Sequence, residues 1–167
     1  MIKGSIRTKC KKIKLIATDV DGVLTDGGRY YSEKGEVMKK FHVRDGMGIN
    51  MLKRNNIPTI IVTKERNPII LKWAKNMNIK KTFSGVLEKD KILKSVCEKF
   101  NVSQSNVLYI GDDINDIPLL KKVGVSVAPF DAWKQTKKIV DYVSETKSGN
   151  GVLREISDII LDYNNKS

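Results

Sequence analysis

Short apolar runs alternate with stretches of helical periodicity along most of this chain. The runs fall at residues 13–18, 59–62, 82–84, 107–110, 125–128 and 139–143, most of them rich in Ile and Val. Continuous apolar runs of this length, bounded by turn residues, predict strands buried on both faces of a sheet. Between them, residues 46–55, 68–76, 89–100, 114–121 and 151–163 predict helices. Asn67 before Pro68 and Asp113 before Ile114 stand where helix caps belong. Strand and helix in regular alternation predict an α/β fold, doubly wound around a mostly parallel, Rossmann-like sheet. One segment breaks the rhythm. Residues 28–43, GRYYSEKGEVMKKFHV, read as a β-hairpin inserted after the first strand, with its turn at Glu33-Lys34-Gly35.

At 167 residues the chain has room for one domain, expected over 13–167 behind a basic, mobile leader at 1–12. That leader lacks the apolar segment of a secretory signal, and no apolar stretch nears membrane-spanning length, so a cytoplasmic protein without membrane contact is expected. Cys10 and Cys97 are far apart and expected to be free thiols. The net charge of +12 raises the question of nucleic acid. Its lysines are scattered over nearly every segment, with no aromatic-flanked basic stripe, so no nucleic-acid partner is expected. A positive field of this kind would still attract a small anionic substrate.

The chemistry begins at Asp19 and Asp21, where the first strand breaks into Gly22. In open α/β sheets, sites collect at the carboxyl ends of strands, which puts both carboxylates at a crevice. Two acids so close repel unless a cation joins them, and a hard, oxygen-liganded ion such as Mg²⁺ fits. Beside such an ion one Asp can act as nucleophile and the other as proton shuttle. Thr63 follows the second predicted strand, where its hydroxyl and N–H could hold a phosphate oxygen. Lys89 opens a predicted helix, and Asp112, Asp113 and Asp116 cluster after the strand at 107–110. Each has an ordinary explanation alone: a solvated turn, a cap, one lysine among many. The whole set, each member at a strand end or helix start, does not.

This order of motifs resembles the haloacid dehalogenase superfamily of phosphohydrolases, over about residues 13–161. Within it, DVDGVLTDGG, FHVRDGMGI, YIGDDINDIPLLKKVG and SGNGVLREISDIIL are similar to a branch without a cap domain. That branch contains the phosphatases of 3-deoxy-D-manno-octulosonate 8-phosphate and of nonulosonate 9-phosphates. The resemblance implies an aspartyl-phosphate mechanism with Asp19 as nucleophile and Asp21 as acid and base. It implies Mg²⁺ held by Asp19, Asp21 and Asp112 with Asp113 and Asp116 in support, and phosphoryl oxygens held by Thr63 and Lys89. It also implies a homotetramer in which hairpins pack together, with Tyr30, Tyr31, Val37 and Phe41 as candidates for burial between subunits. The segment 148–151 resembles one that reaches a neighbouring site.

Substrate contacts are expected from Arg44, Lys64 and Glu65. Val43-Arg44-Asp45-Gly46 resembles the octulosonate enzymes, whereas Thr63-Lys64-Glu65 carries Glu where those enzymes place Arg, as nonulosonate relatives do. The expected substrate is octulosonate 8-phosphate, a precursor of lipopolysaccharide, with a nonulosonate 9-phosphate as alternative. Two other classes compete. A receiver-type phospho-acceptor module places its acceptor Asp after the third strand, which does not fit. A catalytically silent oligomerisation domain would not need every motif residue, and all are present.

Overall fold

The computed structural model describes residues 4–165. A six-stranded sheet is built from β1 (Leu15–Thr18), β4 (Thr59–Val62), β5 (Lys81–Phe83), β6 (Val107–Ile110), β7 (Val125–Ala128) and β8 (Tyr142–Val143), in the order β5-β4-β1-β6-β7-β8. Every pairing in it is parallel. The chain runs outward from β1 through β4 to β5, then returns and runs the other way from β6 to β8. The reversal opens a crevice at the carboxyl ends of β1, β4 and β6.

The sheet's alternation divides the core in two. Ile16, Ile61, Leu108, Ile110, Val125 and Val127 face α2 (Val43–Arg54), α3 (Pro68–Asn76) and α7 (Val152–Asn165). Leu15, Ala17, Ile60, Val62, Val107 and Tyr109 face α4 (Leu93–Phe100) and α5 (Ile117–Leu120). Both faces are therefore dry, and β1, β4, β6 and β7 are buried along their whole length. Gly48 lets α2 lie close on α7: a Cβ there would sit 3.0 Å from the Arg154 Cα.

The hairpin consists of β2 (Tyr30–Ser32) and β3 (Gly35–Met38), antiparallel, turning through Glu33 and Lys34. It stands off the main sheet, with Tyr31 65% and Met38 54% exposed. Phe41 does not share that exposure. Its ring stacks on Trp73 of α3, with centroids 4.3 Å apart, so it anchors the hairpin's return to its own domain.

Several boundaries differ from expectation. Val43 opens α2 rather than closing the hairpin, because His42 is the N-cap and its Nδ1 accepts a hydrogen bond from the Arg44 N–H at 3.2 Å. The segments at 89–100 and 114–121 each start as a 3₁₀ turn, Lys89–Ile92 and Ile114–Asp116, before becoming α-helical. Ile139 belongs to α6 (Lys134–Ile139), which leaves β8 two residues long. The basic leader is not a loose arm over its described part. Gly4–Cys10 forms α1, which buries Ile6 and Cys10 in the α7 side of the core. Lys9 pairs with Asp141 at 2.6 Å, and the Arg7 guanidinium lies over the Tyr163 ring. Residues 1–3 of the expected leader lie outside the described residues. Both cysteines are free thiols, and no helix among the described residues is long and apolar enough to cross a membrane.

Candidate active site

Asp19 leaves β1 with its N–H bonded to the Ile110 carbonyl at 2.9 Å, so the strand's last ladder bond fixes its backbone. The Val20 N–H donates to its Oδ1 at 2.8 Å, and the Lys89 ammonium reaches its Oδ2 at 2.7 Å. Gly22, at φ +82°, turns the chain so tightly against β6 that a Cβ there would collide with the Asp112 carboxylate. Asp19, Asp21, Thr63, Lys64, Glu65, Asp112 and Asp113 thus line one crevice of about 410 Å³, with Arg29 and Ile114 at its walls.

Lys89 is 1% exposed and held between two acids, with Asp116 Oδ1 also at 2.7 Å. Burial works against its charge, yet Asp19 and Asp116 outweigh burial and hold its pKa above the usual lysine value. Asp116 is wholly buried and acts as a strut. Its Oδ1 accepts from the Tyr109 hydroxyl at 2.6 Å, and its Oδ2 from the N–H groups of Asp112 and Asp113 at 3.0 and 3.3 Å. Asp113 caps the 3₁₀ turn, its Oδ1 accepting from the Ile114 N–H at 2.7 Å.

The donor set suits a hard cation. Carboxylate oxygens of Asp19, Asp112 and Asp116 all lie within 4.8 Å of one another. Burial, then the neighbouring acids, pushes Asp19 up to about 7 and Asp112 up to about 8. Lys89 alone does not neutralise this cluster, and a divalent ion with oxygen ligands would. The Asp21 carboxylate stands outside that group of three. Its Oδ1 pairs with Lys39 at 2.6 Å, and its buried Oδ2 has no partner among the described residues.

Thr63 and Arg44 are placed differently from the rest of the expected set. The backbone N–H of Thr63 is spent on the Phe83 carbonyl at 2.9 Å, the bond that closes the β4–β5 ladder just past its last pair, Val62 with Phe83. Its hydroxyl accepts from the Glu65 N–H at 3.1 Å and keeps its own proton to donate. Arg44 is not in the crevice of its own chain: it lines a separate cleft with Asn150, Gly151 and Arg154. Sequence reading missed Lys39 and Arg29. Arg29 pairs with Glu65 across the crevice mouth at 3.0 Å.

The fold, the crevice and the four strand-end motifs define a class. Residues 62–156 match the family model of haloacid dehalogenase-like hydrolases, and the chain belongs to that family. Among its relatives is the 3-deoxy-D-manno-octulosonate 8-phosphate phosphatase of Haemophilus influenzae, 40% identical over 97% of this chain and 90% of that one. The cobalt-bound structure of the deoxy-D-mannose-octulosonate 8-phosphate phosphatase from that organism is similar, with TM-score 0.92 and 41% identity over 95% of this chain and 93% of that one. The Moraxella catarrhalis octulosonate 8-phosphate phosphatase, solved with magnesium, phosphate and KDO, superposes with TM-score 0.94 at 33% identity, over 98% of this chain and 94% of that one.

Proposed function

We propose that this protein is a Mg²⁺-dependent phosphatase that removes the terminal phosphate of 3-deoxy-D-manno-octulosonate 8-phosphate. The observation that carries the chemistry is Asp19, fixed at the end of β1 and 2.7 Å from Lys89, in a crevice shared with Asp21, Thr63 and Asp112. The relatives' substrate supports the choice of sugar acid.

An Asp19 carboxylate oxygen attacks phosphorus and forms an acyl phosphate as the phosphorus–oxygen bond to the sugar breaks. Asp21 gives its proton to the departing sugar oxygen. Asp21, now ionised, takes a proton from water, whose oxygen attacks phosphorus, releasing phosphate and restoring Asp19. Lys89 and the Thr63 hydroxyl hold phosphoryl oxygens, and Asp116 with Tyr109 keeps Lys89 in place. Asp19, Asp112 and the turn at Asp21, with Asp113 and Asp116 behind, would hold Mg²⁺, which would supply charge neutralisation for the approach of one anion to another. Uncatalysed phosphate monoester hydrolysis is slow enough that this set must contribute on the order of 20 kcal/mol or more.

The test is phosphate release with Mg²⁺ from octulosonate 8-phosphate and nonulosonate 9-phosphates side by side. A higher kcat/KM on the former is expected, with Asp19→Asn folded and inactive. Activity retained in folded Asp19→Asn would remove the nucleophile assignment. A nonulosonate 9-phosphate is the second reading, favoured by Glu65 at the crevice mouth, and a reversed preference would establish it.

We also propose a homotetramer built on the hairpins. Tyr30, Tyr31, Val37 and Met38 are each about half exposed or more on a ribbon that does not join the main sheet. Arg44 lies beside Asn150 and Gly151, and on this reading serves a neighbouring crevice with that segment. Light scattering is expected to return four chain masses, and Tyr31→Asp to lower that number. A monomeric wild type would dismiss the assembly.

A further inference from the structure

Lys39, on the stretch between β3 and α2, has a side chain with 0% exposure although it carries a charge. Its ammonium sits 2.6 Å from Asp21 Oδ1 and 2.8 Å from Glu36 Oε1. Glu36 is held in turn, its Oε2 accepting from the Asn67 side-chain N–H at 3.0 Å. Asn67 is the N-cap of α3, accepting from the Ile69 N–H at 2.8 Å. A line of contacts thus runs from the start of α3 through the hairpin to the carboxylate of Asp21. All of it converges on one oxygen, which the Thr25 hydroxyl also approaches at 3.4 Å. The other, Oδ2, is buried without a partner among the described residues.

Burying an ammonium is costly, and a lysine is retained in such a place only against well-placed carboxylates. A carboxylate free to rotate would offer either oxygen in changing directions. One pinned at Oδ1 is held in a single orientation. We propose that Lys39 is a positioning residue for Asp21, pinning Oδ1 so that the carboxyl is held in the one orientation from which it gives the proton to the leaving group and takes one from water. The inference rests on the reading of Asp21 as general acid. The competing role is structural: Lys39 would only fasten the hairpin to the domain.

The two roles part on the leaving group. An alkyl phosphate releases an alkoxide that must be protonated as it leaves. The 2,4-dinitrophenolate of 2,4-dinitrophenyl phosphate departs without a proton. Because kcat/KM covers the steps up to the first irreversible bond cleavage, hydrolysis of the acyl phosphate does not enter it. The ratio of kcat/KM for the two esters in one preparation is independent of the fraction folded.

In Lys39→Met, kcat/KM for the alkyl ester is expected to fall about a hundredfold, the scale of a 1 Å misplacement. The loss on the dinitrophenyl ester is expected to be at least tenfold smaller. Equal losses on both esters, or no loss on either, would overturn the proposal. If Lys39→Met does not fold, Glu36→Gln, which releases the second anchor of Lys39, carries the same comparison. A selective loss there supports the role, and an unselective one or none overturns it. Asp21→Asn run beside them separates the two levels. A selective loss in Asp21→Asn without one at Lys39 dismisses Lys39 alone, whereas no selectivity in Asp21→Asn dismisses the general acid and this inference with it.

Discussion

Glu65 puts a negative charge at the mouth of a crevice meant for an anion, and Arg29 answers it from 3.0 Å away. Both side chains are more than a third exposed, so the pair contributes at most about 1 kcal/mol to stability. On the proposed function, its effect is expected in substrate choice. Glu65→Arg replaces attraction by repulsion and makes the mouth more positive by two charge units, removing one negative charge and adding one positive. The expected result is a nearly unchanged melting temperature with the kcat/KM ratio shifted toward octulosonate 8-phosphate. An unchanged ratio would remove the pair from the specificity argument. Neither Arg29 nor Lys39 could be singled out from sequence, since each is one basic residue in a chain with 31. Asp19, Asp21, Lys89 and Asp112 were legible because their positions at strand ends and helix starts follow from the apolar pattern. The engaged N–H of Thr63 was not, because it depends on how far β5 accompanies β4.

Asp45 shows how two elements are joined by one charge. It sits in the first turn of α2, fully buried, and its Oδ1 accepts from the Arg154 N–H at the start of α7 at 3.0 Å. Burial pushes its pKa from 3.8 up to about 6, with the α7 N–H groups pulling the other way. A carboxyl raised on folding holds its proton longer in the folded state, so its contribution to stability declines as pH rises from about 4 to about 6. Asp45→Asn keeps an oxygen for the α7 N–H groups and cannot ionise. Its melting temperature relative to wild type should therefore climb through that window and level off above it. A difference constant with pH would contradict the buried charge. Both helices were expected from sequence, but the α2–α7 contact was hidden, because the use of Gly48 lies in the partner helix. The same limit applies to α6, a short and mostly polar helix, and to α1, whose Arg7 and Lys9 concealed the apolar pair Ile6 and Cys10. The central parallel strands were legible throughout, because burial on both faces leaves an uninterrupted apolar run.

Across the whole molecule, the crevice couples stability, pH and metal. Asp19 and Asp112 are raised to about 7 and about 8 without a cation present, first by burial and then by their neighbours. Both folded pKa values lie above the starting 3.8, so the metal-free fold binds more protons than the unfolded chain between about pH 4 and pH 8. Its stability should fall across that range. A divalent cation must displace those protons to bind, so its affinity rises with pH, and ligand bound only to the folded state adds stability by mass action. The melting temperature in chelator is therefore expected to decline from pH 5 to pH 8. At a fixed Mg²⁺ concentration, the gain over chelator should be larger at pH 8 than at pH 5. Asp112→Asn should shrink that gain at pH 8 and flatten the decline in chelator, since it removes both a ligand and a buried proton site. An equal Mg²⁺ gain at both pH values would mean the ion binds away from these acids, and the crevice would then need another counter-charge to admit a phosphate.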